Sequence, residues 1–301
     1  MMKKLLILSS WLLVAVQAFA GERVALWPEG KIPDCQTQQI AATTQEVKAP
    51  GFKTAEHTMP HLDWYEAPAA KNGGCMLLIS GGGYQSCCDG MWIDRAAKKF
   101  TELGFVCVSL TYRTPRPQGL PIYQSAWEDG QRAVRLVRND ALKRGFDPEK
   151  IGAFGFSAGS HLTVLLATSA LTPAYGPIDE LDKLSCNVQW AVAIYPAYAL
   201  TDGAEAPNAK GGNEDDARLV PEFSFDLATC PILFLHGDAD GWAAMNSVKC
   251  WEQLRRMEIQ SDLHTLVGRM HCFQRKAAPG TGSYTWMDRI WEFMNHKGFN
   301  K

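Results

Sequence analysis

The chain has 301 residues, a formal net charge of −2 at pH 7 and 46% hydrophobic residues, an ordinary balance for a globular enzyme. Lys and Arg are dispersed along it, so nothing in the charge pattern suggests nucleic acid or an anionic membrane as a partner. The nine cysteines are an odd number, so at least one thiol cannot pair within the chain.

The N-terminus reads as a leader. Lys3 and Lys4 precede an apolar run over 5–20 that ends Ala18-Phe19-Ala20. A basic start, a short apolar core and an A-x-A site describe a secretory signal peptide, and the run is short for a membrane span. The expected organisation is a signal peptide at 1–20 and one catalytic domain at 21–301, exported to the periplasm or beyond. Residues 21–72 are irregular. Candidate first antiparallel strands lie at 47–52 and 61–67.

From residue 75 onward strand and helix signals alternate. Apolar runs at 75–80, 105–112, 151–154, 188–195, 232–236 and 262–267 suit strands buried on both faces of a parallel sheet. Helical patterns lie at 124–144, 161–171, 242–257 and 284–296. In the first of these Ala133, Val134, Val137 and Ala141 share one side, with Arg132, Arg135 and Arg138 largely elsewhere. Cys75 and Cys107 lie inside strand-like runs and read as small buried hydrophobes. The polar stretch 198–226 reads as a long loop, either a solvated excursion or a rim around a substrate. Repeated strand–helix units predict a doubly wound, mostly parallel α/β sheet with helices on both faces.

The chemistry centres on 153–161, AFGFSAGSH. It contains G-x-S-x-G, with Ser157 between a strand-like run and a helix-like run. That context makes it a nucleophile elbow of the α/β-hydrolase fold. A serine nucleophile needs a base, an orienting acid and oxyanion donors. In this fold acid and then histidine follow the serine along the chain. His271, in the loop after the last strand, is the best-placed base. His161 sits on the elbow helix and points away from the site. His264 lies in a strand, and His236 ends one; both read as structural. Asp238 and Asp240 both follow the strand ending at His236, and position alone does not separate them. Ala158 supplies one oxyanion N–H. The loop Ser80-Gly81-Gly82-Gly83-Tyr84 supplies the other side, since glycines let backbone approach a carbonyl oxygen closely. Tyr84, Trp92 and Trp242 are candidate substrate contacts, although each tryptophan could equally cover a helix end. The histidines are scattered and C-x-x-C is absent from the sequence, so no metal site or cofactor is expected.

SGGGY, LTYRTP at 110–115, EDGQRAVRLVR at 128–138, DPEKIGAFGFSAGSHL at 147–162, ILFLHGDAD at 232–240 and GRMHCF at 268–273 together resemble one branch of the α/β-hydrolases. It is the group of exported bacterial carbohydrate esterases that includes acetyl xylan esterases and the related feruloyl esterases. The resemblance starts near Leu26 and covers nearly all of 21–301. It implies Asp240 as the acid, His271 as the base, and Gly82, Gly83 and Ala158 as oxyanion donors. It further implies an acylated carbohydrate as substrate, with acetyl the expected acyl group and feruloyl the alternative. A peptidase of the same fold is a more distant reading. Two departures fall near the expected site: Cys272 where glycine is usual, and Cys87-Cys88 after GGGY.

Overall fold

The computed structural model describes residues 21–33, 48–49, 52–53, 59–65, 71–88, 90–201, 217–276 and 285–299. Residues 1–20, where a leader is expected, and residues 202–216 of the polar stretch lie outside them.

The core is an eight-stranded sheet. Its strands are β1 (Arg23–Ala25), β4 (His61–Trp64), β5 (Cys75–Ile79), β6 (Val106–Thr111), β7 (Ile151–Phe156), β8 (Trp190–Ile194), β11 (Ile232–Gly237) and β12 (Asp262–Leu266). The spatial order is β1-β4-β6-β5-β7-β8-β11-β12. The six strands from β6 to β12 run parallel, while β4 pairs antiparallel with β6 and β1 antiparallel with β4. Short pairs lie outside the sheet: β2 (Lys48–Ala49) with β3 (Phe52–Lys53), and β9 (Leu200–Thr201) with β10 (Arg218–Leu219), two strands within the polar stretch expected as loop.

The continuous apolar runs have the expected cause. Along β5, Cys75, Leu77 and Ile79 face one core, and Met76 and Leu78 face the other. Alternate side chains therefore serve two hydrophobic layers. The first layer is closed by α2 (Gln124–Asn139), α3 (Ala141–Arg144), α4 (Ala158–Thr168) and α5 (Met245–Arg256). The second is closed by α1 (Gly90–Glu102) and α6 (Trp286–Lys297), through residues such as Ala97, Phe100, Ile290 and Phe293. Among the described residues, no helix is long and apolar enough to cross a membrane.

The structure differs from the sequence reading at one element and adds to it at two places. The helix expected over 124–144 is interrupted at Asp140. Helix α1 had not been anticipated, although its buried positions 93, 96, 97 and 100 carry a helical period. Arg132 and Arg138, although off the apolar side of this helix, are buried. The Arg132 guanidinium bonds the Asp179 carboxylate at 2.6 and 2.7 Å and the Leu26 carbonyl at 2.9 Å. Arg138 donates to the carbonyls of Pro148, Ser185 and Asn187. Thus α2 is covered on its charged side by the N-terminal segment and by 179–187.

Candidate active site

Ser157 stands between β7 and α4 with φ 54° and ψ −120°, a left-handed conformation unfavourable for any residue but glycine. Its neighbours show why the turn needs small residues. A Cβ on Gly155 would collide with the Gly159 carbonyl, and one on Gly159 with the carbonyl of Ser80. The turn is stapled to β8: the Ser157 N–H donates to the Ile194 carbonyl at 3.1 Å, and the Ala197 N–H donates to the Ser157 carbonyl at 3.5 Å.

The loops after β11 and β12 meet this turn. The Ala239 N–H donates to the Arg269 carbonyl at 3.0 Å, and the absent Cβ of Gly237 leaves room for the Arg269 backbone. One chain of hydrogen bonds results. His271 Nε2 lies 2.8 Å from Ser157 Oγ, and His271 Nδ1 lies 2.7 Å from Asp240 Oδ2. Asp240 Oδ1 accepts the Trp242 N–H at 2.9 Å. Asp238 instead accepts the N–H of Gly268 and pins the turn before His271.

His236 reaches Asp240 too. Its Nε2 lies 2.8 Å from the Trp242 carbonyl and 3.4 Å from Asp240 Oδ2, and its Nδ1 lies 2.8 Å from Ser247 Oγ. His161 is fully buried on α4, with Nδ1 at 2.8 Å from the Tyr84 hydroxyl and Nε2 at 3.4 Å from Glu222.

The loop after β5 turns back over α4. Gly82 and Gly83 have φ 130° and 64°. A Cβ on Gly82 would collide with the Ser86 carbonyl, so that position requires glycine. The N–H groups of Gly82, Gly83 and Ala158 make no hydrogen bond among the described residues. Unpaired backbone donors are uncommon unless a ligand or water takes them.

The three aromatic candidates part company. Trp242 lies beside the chain of hydrogen bonds, its ring 6.5 Å from that of His271. Tyr84 is a correction. It is 1% exposed, its hydroxyl is taken by His161, and its positive φ turns the ring into the core. Trp92 lies on α1, where its ring carries the Arg95 guanidinium at 4.5 Å and packs against the second core. No described contact joins it to Ser157 or His271. A residue that sequence reading missed, Tyr198, lies 4.6 Å from the Trp242 ring.

A family model described as BD-FAE matches residues 62–249, well over half of the chain. The chain belongs to the BD-FAE esterase family. Among curated relatives, it is 41% identical over 93 residues to endo-1,4-beta-xylanase B of Butyrivibrio fibrisolvens, covering 31% of this chain and 14% of that protein. It is 30% identical over 162 residues to esterase LipQ of Mycobacterium tuberculosis, covering 50% of this chain and 36% of that protein. The chain thus spans well under half the length of these relatives. An acetyl ester-xyloside bifunctional hydrolase from Caldicellulosiruptor lactoaceticus superposes with TM-score 0.70 at 22% identity, covering 95% of this chain and 99% of the other. A propionate-bound esterase from Thermogutta terrifontis superposes with TM-score 0.64 at 22% identity, covering 80% and 90%. At this identity the likeness is one of fold.

In this BD-FAE member, the electrostatics of the site favour a charged acid. Burial alone would raise the Asp240 pKa, but hydrogen bonds from His236 and His271 outweigh it and hold the carboxyl at about 2. A carboxylate bonded to Nδ1 fixes the imidazole so that Nε2 faces the serine as an acceptor. Burial pushes the Cys87 thiol up to about 12, so it is a protonated thiol and not a reactive thiolate. Cys75 and Cys107 are unpaired thiols and fully buried. Among those residues, no group of three His, Cys, Asp or Glu is arranged to hold a metal ion.

Proposed function

We propose that the chain is a serine esterase that removes small acyl groups, chiefly acetyl, from plant polysaccharides or their oligosaccharides such as xylan. The observation that carries this reading is the bonded line Ser157–His271–Asp240, on an elbow packed against the loop whose Gly82 and Gly83 N–H groups are unpaired among the described residues. Family membership supports ester hydrolysis. The carbohydrate reading is supported by the names of a matched xylanase and of an acetyl ester-xyloside hydrolase with the same fold.

The steps follow from the geometry. His271 takes the Ser157 proton as Oγ attacks the ester carbonyl. The oxygen becomes an oxyanion among the N–H groups of Gly82, Gly83 and Ala158, where fixed dipoles need no reorganisation. Charged Asp240 stabilises the imidazolium. His271 then gives its proton to the departing sugar oxygen, which leaves an acyl-serine. Water, activated by the same histidine, attacks the acyl-serine and releases the acid. No metal or redox cofactor takes part in these steps. In the cell, the leader at 1–20 would export the domain at 21–301 to the periplasm or beyond.

A panel of acetylated, feruloylated and methylated glycans, scored for released acid, tests the assignment. Acetate release should dominate. On p-nitrophenyl esters kcat/KM should fall steeply from acetate through butyrate to octanoate, since each methylene without room costs about 1–3 kcal/mol. Preference for the feruloyl glycan, or a flat profile to octanoate, would replace the acetyl reading with the feruloyl one.

A further inference from the structure

Tyr198 takes no part in the line of proton transfer, yet the fold holds it at the edge of the site under strain. It follows β8 and Ala197, the residue whose N–H donates to the Ser157 carbonyl. Its φ is 61°, a left-handed conformation costly for a bulky residue. That conformation lays the phenol ring against Trp242, with ring centroids 4.6 Å apart and planes at 66°. On its other side the ring lies 6.1 Å from Tyr84, which is sealed in the core. The Tyr198 hydroxyl sits beside the oxyanion loop, 3.3 Å from where a Cβ of Gly83 would stand. Tyr198 and Trp242 therefore form an aromatic corner that runs from the oxyanion loop to the face of His271.

The corner is also polar in a particular way. Among the described residues neither the Tyr198 hydroxyl nor the Trp242 indole N–H makes a hydrogen bond, and neither atom is among the buried unpaired ones. Both residues are half-buried. Burial raises the phenol pKa, so the hydroxyl is a donor throughout the neutral range. Two aromatic faces at an angle, each with a reachable unpaired donor, match a ligand with an apolar face and an oxygen-rich rim. A pyranose ring has that form: its axial C–H groups make the face and its hydroxyls the rim.

We propose that Tyr198 and Trp242 form the subsite for the sugar ring that carries the ester, with the Tyr198 hydroxyl donating to an oxygen of that sugar. The inference rests on the carbohydrate-esterase reading above and deepens it. The corner abuts both the oxyanion donors and the base, so a ring seated there is next to the bond being cleaved. The strained backbone is the structural cost of placing a phenol at that spot.

The test compares two substrates: an acetylated xylo-oligosaccharide, and p-nitrophenyl acetate, which has no sugar. The readout is the ratio of the two kcat/KM values. Tyr198→Phe should lower that ratio about fivefold, the worth of one hydrogen bond. Tyr198→Leu should lower it about tenfold or more through lost ring contact, with the change mainly in KM for the glycan. Thermal melts of both variants guard against misfolding, and the Phe variant retains the ring and its packing. A ratio within twofold of wild type for both variants overturns the subsite. So does an equal loss of kcat on both substrates, which would move Tyr198 to the reacting carbonyl. If wild type cleaves p-nitrophenyl acetate but no acetylated glycan, the carbohydrate reading itself fails. If wild type deacetylates the glycan and the ratio holds constant, only the subsite fails.

Discussion

Asp240 and Asp238 are separated by one residue and do different work. Asp240 is buried and bonded to His271 Nδ1, while Asp238 ties down the Gly268 turn. Asp240→Asn should therefore lower kcat by roughly 10⁴, because an amide presents the wrong partner to the imidazole. Asp238→Asn keeps an acceptor for Gly268 and should do far less harm. Steady-state rates for the two variants check the ranking, and the reverse order would move the acid to Asp238. His236 goes beyond the structural role its sequence position suggests, since it touches the acid and also the Trp242 carbonyl. His236→Ala should cost kcat on the order of 10- to 100-fold, as expected when a catalytic group loses its positioning. His236→Gln, which can still donate, should recover part of that. Equal damage from Ala and Gln in kcat, with matching losses of melting temperature, would leave His236 a purely structural residue.

At the scale of elements, the elbow depends on how closely α4, β7 and the oxyanion loop approach. A methyl on Gly159 points at the carbonyls of Ile79 and Ser80. Gly159→Ala should destabilise by about 1–3 kcal/mol through overpacking and should also lower kcat, because Ser80 leads into the oxyanion loop. Denaturant melts and rates on one preparation check both. The strap between the N-terminal segment and α2 makes a second test. Buried Asp129 accepts the Trp27 indole N–H at 2.7 Å, the Arg113 backbone N–H at 2.7 Å and the Arg113 guanidinium at 3.0 Å. Asp129→Ala leaves that guanidinium short of a buried partner and should cost about 3–5 kcal/mol, with activity retained in whatever fraction stays folded.

The parallel strands were legible in the sequence because burial on both faces leaves unbroken apolar runs. The meeting of Ser157 and His271 was legible as geometry, because the elbow and the chain order limit the choices. What escaped depends on backbone geometry or on distant partners. Nothing local marks Tyr84 as inward-facing, since its positive φ sets that direction. The burial of Arg132 has no local sign, because its partners Asp179 and Leu26 are remote in sequence. The same holds for Tyr198, whose neighbours at the corner come from three separate loops.

For the whole molecule, acid stability follows from two carboxylates held at about 2. Burial would raise Asp240, and hydrogen bonds from His236 and His271 prevail against it. Burial would raise Asp63 as well, and hydrogen bonds from His61 and Arg23 prevail. A depressed carboxylate contributes its stability fully above its unfolded pKa, near 4, and loses it as pH falls through the folded value. Melting temperature should thus fall steeply between pH 4 and pH 2, and less steeply in Asp63→Asn. An unchanged pH profile in that variant would remove Asp63 from the explanation.

On the proposed function, Ser157 carries the acyl group between the sugar and water. The most direct test is the rate of acetate release from an acetylated xylo-oligosaccharide by wild type and by Ser157→Ala, purified free of wild-type enzyme and shown by melting to be folded. The Ser157→Ala variant should lose roughly 10⁴- to 10⁶-fold in kcat. An alanine variant that keeps most of the wild-type rate would contradict that role.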